Sequence, residues 1–180
     1  MQKKIDRSSY KINNFKTHIK KICREFKPKS LLEIGLLDGY SLKAFTDCLP
    51  ESAKIVGIDI FEKYEFKNAE FEALIHKFKK YHNVSIEYGN FYEYYFKQLN
   101  FDLIHIDISN DADVYSFSIE NYLPLCNKAL LLEGGSVERD NVDWMIKYNK
   151  KPINKYLNEI NKKFDIEVIQ PFPSLTVIKK

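Results

Sequence analysis

The chain has no apolar run near the roughly 20 residues a membrane helix needs, so a membrane-spanning role and a membrane partner are not expected. It also lacks an even set of cysteines. Cys23, Cys48 and Cys126 stand far apart in apolar surroundings, so they read as reduced packing residues, not as bridges or metal ligands. The opening Met-Gln-Lys-Lys-Ile-Asp has no apolar stretch behind its basic residues, so no signal peptide is expected and the location reads as cytoplasmic. No charge of one sign dominates: 28 basic against 25 acidic residues leave +3, without the basic stripe a nucleic-acid partner calls for. Lysines do gather towards both ends (Lys3, Lys4, Lys20, Lys21, Lys162, Lys163, Lys179, Lys180), and they read as solvated faces. Repeats, low-complexity tracts and linkers are missing, so residues 1–180 read as a single domain. The dinucleotide fingerprint Gly-x-Gly-x-x-Gly is missing too, which argues against a nicotinamide dehydrogenase.

What is present is a different glycine turn. Leu31, Leu32 and Ile34 make an apolar strand that runs into Gly35-Leu36-Leu37-Asp38-Gly39, with Glu33 two residues before the first glycine. A helix opens at Ser41, and a second apolar strand (Ile55, Val56, Ile58) ends in Asp59. Strand, glycine turn, helix, then a strand ending in an acid is how a parallel sheet holds a nucleoside: the acid accepts from ribose hydroxyls. The spacing points to a nucleoside without a pyrophosphate.

Apolar periodicity places the other elements. Ile12, Phe15, Ile19, Ile22 and Phe26 mark a helix from Ser8-Ser9 to just before Pro28, so residues 1–28 would flank the cleft. Leu42, Phe45 and Leu49 line the next helix, and Phe71, Leu74, Ile75 and Phe78 a third. Val84, Ile86 and Tyr88 alternate as a strand closed by Gly89, and Phe91 to Leu99 is a short aromatic helix. Phe101 to Ile108 reads as a buried central strand, followed by a helix over Asp113 to Leu125 and a strand at Ala129 to Leu132. Asn141 to Lys147 and Ile153 to Phe164 read as helices, and Ile166–Ile169 with Leu175–Ile178 as an antiparallel hairpin. The alternation predicts an α/β fold: a doubly wound, mostly parallel seven-stranded sheet with a C-terminal antiparallel hairpin.

With these elements placed, the chain resembles the class I S-adenosylmethionine-dependent methyltransferases, and among them small-molecule O-methyltransferases of the macrocin type. Glu33 to Leu42 matches that group's first motif, Gly57 to Ile60 its second, and Phe101 to Leu125 its fourth-strand block, from Asp-Leu-Ile-x-Ile-Asp to Leu-Pro-Leu. The resemblance implies S-adenosylmethionine as cofactor. Gly35 and Gly39 would bring backbone against its amino-acid part, with Glu33 orienting that loop. Ser41 would hydrogen-bond the methionine carboxylate, Asp59 would hold the ribose, and Ile60 would pack on adenine. Gly89, Asn90 and Phe91 would read the adenine amino edge, and Asp107 would face the methionine end and the substrate. The implied activity is methyl transfer to oxygen or nitrogen of a small molecule. The alternatives are a cofactor-binding module without methyl transfer and a nucleic-acid methyltransferase. No Asn/Asp-Pro-Pro-Tyr/Phe motif follows the fourth strand, so nucleic acid is not the expected partner, and a homodimer stays open.

The departures bear on the catalytic half. Where the family continues Asp-Gly-Asp-His-x-Tyr, this chain reads Asp107-Ile108-Ser109-Asn110-Asp111-Ala112, and the fifth strand exits through Glu133-Gly134 instead of Glu-Asp. A divalent-metal site like that of the catechol-type enzymes looks incomplete, with only Asp107 and Glu133 to share magnesium, so no metal ligands are assigned. The candidate catalytic residues are Asp107, His105 on the same strand face, and Glu133 at the neighbouring strand tip. Gly134 to Asp140 is the least explained segment: its paired glycines suggest backbone close to a ligand. Arg139 would clamp a substrate anion or pair with Glu138, Asp140 or Asp143.

Overall fold

The computed structural model describes residues 8–62 and 69–180. Expectations for the first six residues, Lys3 and Lys4 included, lie outside the described residues. Seven strands form one sheet: β1 (Ser30–Ile34), β2 (Lys54–Asp59), β3 (Val84–Tyr88), β4 (Phe101–Ile106), β5 (Cys126–Glu133), β6 (Asp165–Ile169) and β7 (Leu175–Lys179). Their order is β3-β2-β1-β4-β5-β7-β6. The first five run parallel, while β7 pairs antiparallel with both β5 and β6. The expected fold class is the one observed. Strand order reverses between β1 and β4, and the carboxyl ends of strands at such a switch point are where open α/β sheets bind ligands.

Alternate residues of each strand feed two cores. On one face Leu31, Ile55, Leu103, Leu131 and Val177 pack beneath Ile19, Leu42, Phe45, Leu74 and Phe78 of α1 (Lys16–Phe26), α2 (Tyr40–Thr46) and α3 (Phe71–Phe78). On the other, Leu32, Ile58, Ile104, Ile106 and Leu132 meet the helices α4 (Phe91–Tyr94), α5 (Ala112–Asn121) and α8 (Ile153–Ile160). Two short helices, α6 (Val137–Asp140) and α7 (Asp143–Lys147), lie between β5 and α8.

The first helix starts later than periodicity predicts. Asn13 and Asn14 adopt φ of 58° and 51°, breaking the segment Ser9–Asn14 from α1, and Ile12 is exposed instead of joining the buried stripe. Asparagine tolerates the left-handed region, so the chain turns there and the helix restarts at Lys16. Ile75 also points outward, and β5 extends three residues earlier than its apolar run, to Cys126.

Candidate active site

The glycine turn is tied to its neighbours by backbone bonds. Gly35 N–H donates to Ile58 O (2.9 Å), Asp107 N–H to Ile34 O (2.9 Å) and Gly89 N–H to Asp59 O (3.0 Å), which gathers the exits of β1, β2, β3 and β4. Gly35 has φ +88°, and a Cβ there would lie 2.1 Å from the Asp107 carbonyl oxygen. Gly39 has φ +66°, and a Cβ would meet Leu74 and Phe78 of α3 at 2.8 and 2.9 Å. Both glycines therefore have a packing role that the sequence reading did not give. Their missing side chains make room for the protein's own β4 exit and α3.

Asp59 is half-buried at the tip of β2. One oxygen accepts from Leu36 N–H (2.8 Å) and the other from Phe61 N–H (3.1 Å). These bonds fix the carboxylate, and each oxygen keeps a second lone pair for a further donor. Ile60 beside it is half-buried. Asn90 is exposed and caps α4, its Oδ1 accepting from Tyr92 N–H at 3.0 Å. Phe91 departs from expectation: its ring stacks on Tyr122 inside the core, so only backbone at that position borders the loop.

Beneath the turn lies a buried polar cluster in an otherwise apolar layer. Glu33 and His105 are register partners on β1 and β4 and are 0% and 1% exposed. Ser41 Oγ donates to Glu33 Oε1, so this hydroxyl proton is not available to a methionine carboxylate as expected. His105 Nδ1 lies 3.4 Å from Glu33 Oε1, and Nε2 shares a 2.9 Å hydrogen bond with the Tyr10 hydroxyl. Burial alone would lower the His105 pKa, but Glu33 and, farther off, Asp107 and Glu133 raise it on balance. Both ring nitrogens face core side chains. His105, expected as a base facing substrate, is placed inside the core between Tyr10 and Glu33. Tyr10, fully buried, has no signal in local sequence.

Asp107 follows two residues later on the same face and keeps part of its surface open. Its enclosed setting, with Glu133 and Glu33 nearby, pushes its carboxyl up to about 7, while His105 and Arg139 restrain the rise.

Glu133 is not free at the tip of β5. Arg139 holds it bidentately, Nε to Oε1 at 2.7 Å and Nη2 to Oε2 at 2.8 Å, with Glu133 and Arg139 only 3% and 4% exposed. Arg139 thus pairs with Glu133, not with the expected Glu138, Asp140 or Asp143, and Glu133, expected as a catalytic residue, is placed in a buried ion pair. The turn between them uses Gly134 (φ +104°) and Gly135 (φ +109°); a Cβ on Gly135 would sit 2.2 Å from Thr176 Oγ1 of β7, and one on Gly134 would meet Ile153 and Arg139 at 3.1 and 3.2 Å. Trp144 lies 4.8 Å from the Arg139 guanidinium carbon. Asn110, also buried, spends its amide on Ile106 O (3.0 Å) and Glu133 O (2.8 Å). A surface groove of about 510 Å³, lined by Asp140, Asn154, Lys155 and Asn158 among others, lies between α6 and α8, away from Gly35, Asp59 and Asp107.

A divalent cation bound as in catechol-type enzymes does not fit these residues. Hard cations want several oxygens; Asp107 offers one carboxylate, both Glu133 oxygens are engaged by a guanidinium, and Gly134 has no side chain. Among the described residues no group of three His, Cys, Asp or Glu side chains could hold a metal ion. None of their helices is long and apolar enough to cross a membrane.

The fold recurs in solved methyltransferases. The O-methyltransferase TomG from Streptomyces achromogenes, in complex with SAM, superposes with a TM-score of 0.68 at 15% identity, over 92% of this chain and 79% of that one. The SAH-bound Podospora anserina methyltransferase PaMTH1 gives 0.66 at 23% identity, over 91% and 76%. An O-methyltransferase from Bacillus cereus, in complex with SAH, gives 0.65 at 14% identity, over 99% and 84%. No curated protein matches the sequence. The family model described as O-methyltransferase matches residues 8–168, nearly the whole of the described chain, and the protein belongs to the O-methyltransferase family.

Proposed function

We propose that the protein transfers a methyl group from S-adenosylmethionine to an oxygen of a small molecule, acting in the cytoplasm. Oxygen is favoured over nitrogen by the family to which the chain belongs. The observation that carries the reading is Asp107, a partly open carboxyl pushed up to about 7, whose backbone packs against the Gly35 turn, across β1 from the acid Asp59.

The cofactor supplies a methyl group activated on a sulfonium. The residues present suit such a nucleoside. Asp59 is held by Leu36 and Phe61 with lone pairs left for ribose hydroxyls, Ile60 offers an apolar side, and Gly89 and Asn90 border the adenine end. Gly35 and Gly39 shape the turn for the amino-acid end, and Ser41 with Glu33 and His105 fixes its underside. Asp107 receives the proton that leaves the acceptor hydroxyl as the new carbon–oxygen bond forms and the carbon–sulfur bond breaks. A carboxyl near neutrality can take that proton at physiological pH and release it afterwards.

The test is methyl incorporation from labelled cofactor across a panel of catechols, sugars, amines and RNA. Asp107→Asn should lower kcat by roughly 100-fold or more, the usual worth of a general base, while leaving affinity for the demethylated cofactor within about twofold. Incorporation into RNA alone would contradict the small-molecule acceptor. Cofactor binding without incorporation into any acceptor would favour the non-catalytic module instead.

A further inference from the structure

We propose that Arg139 is the resident cation of the acceptor side, standing at the tip of β5 where the catechol-type enzymes place a divalent metal, and that this protein works without one. The inference rests on the methyltransfer reading for what the site acts on, but not for its exclusion of metal.

Three observations carry it. First, the guanidinium engages both oxygens of Glu133 at 2.7 and 2.8 Å, so a divalent ion at that carboxylate would meet a fixed positive charge at contact distance. In partly dry surroundings that repulsion is weakly screened. Second, the turn is shaped around the arginine. Gly134 replaces an acid-bearing position, and a Cβ there would lie 3.2 Å from Arg139 Cγ, while Ser136 Oγ accepts from Arg139 N–H at 3.2 Å to start α6. Third, Arg139 Nη1 is buried and has no hydrogen-bond partner, although Nε and Nη2 are satisfied. A buried, unmatched donor on a charged group is costly unless something pairs with it. Trp144, half-buried, has its ring centre 4.8 Å from the guanidinium carbon.

The ligand chemistry follows from the charge. A fixed guanidinium beside Asp107 suits an acceptor that carries an anionic or readily ionised oxygen, a phenol or carboxylate. Arg139 would stabilise the oxygen as Asp107 removes its proton, the part a metal ion plays elsewhere.

The experiment is a manganese titration followed by electron paramagnetic resonance, in which bound Mn²⁺ loses its six-line signal. Wild-type protein, with or without the demethylated cofactor, should leave the signal of free Mn²⁺ unchanged, and calorimetry with Mg²⁺ should show no saturable heat. One equivalent of Mn²⁺ bound by the wild type, and lost in Asp107→Asn and Glu133→Gln, would overturn the proposal. Arg139→Ala vacates both Glu133 oxygens and should show a saturable loss of the Mn²⁺ signal at concentrations where the wild type shows none, given the charge removed. Equal binding by the folded variant and the wild type would overturn the role of Arg139. If the variant fails to fold, the wild-type titration decides alone. Failure of the cofactor to bind would sink the methyltransfer reading and still leave the manganese result readable.

Discussion

Replacing Arg139 by methionine keeps an unbranched apolar stem and removes the guanidinium with its charge. Glu133, 3% exposed, then loses two charge-assisted hydrogen bonds and has no counter-ion in contact. Breaking a buried ion pair from one side costs about 3–5 kcal/mol. For a domain of this size about 1 kcal/mol moves Tm by roughly 2–4 °C, so the fall should be about 6–20 °C. The assay is urea unfolding at pH 7 followed by circular dichroism, with the slope m checked for constancy. Because the pair is buried, the cost should persist in high salt. The double variant Glu133→Leu/Arg139→Met removes both charges and should recover most of the loss, since apolar replacements of buried pairs are often neutral. A single-variant cost under about 1 kcal/mol, the range of an exposed pair, would refute the reasoning. So would a double variant less stable than the single one.

Three further outcomes are expected. Gly35→Ala forces φ +88° on a side-chain-bearing residue and drives a methyl to 2.1 Å from the Asp107 carbonyl oxygen, so it should cost about 2–5 kcal/mol in a thermal or urea melt; a neutral effect would contradict the packing described. Stability should fall as pH rises from about 5 to 8. The folded state holds the Asp107 proton up to about 7 where the unfolded chain releases it near 4, and the raised His105 pKa adds a contribution present below about 6.5 and lost as pH climbs past it. Asp107→Asn should flatten the acidic part of that slope, and a urea midpoint that rises steadily with pH would contradict both signs.

The sheet was legible because its strands carry near-continuous apolar runs and its helices a clean stripe, both local signals. Every strand lies where alternation put it, to within a few residues. The errors come from contacts that local pattern does not encode. Tyr10 is held by His105 from 95 positions away, and that anchor, with two left-handed asparagines, sets where α1 begins. Ile12 and Ile75 fit the period yet fall outside the face that meets the sheet. The glycine turn and Asp59 could be read as a nucleoside cradle, but not that the glycines yield to Asp107 and α3. Glu133 and Arg139 are six residues apart and meet only because Gly134 and Gly135 reverse the chain, whereas sequence proximity favoured Glu138 and Asp140.

The central claim is that the turn at Gly35 and the acid at Asp59 hold S-adenosylmethionine. Isothermal titration calorimetry with the cofactor and its demethylated product, on the wild type and on Asp59→Ala, tests it most directly. The wild type should bind both ligands saturably and one-to-one. The variant should lose about 2–4 kcal/mol, roughly 30-fold or more in affinity, from two ribose hydroxyl bonds to a charged acceptor. Absence of binding by the wild type, or an affinity unchanged by Asp59→Ala, would contradict it.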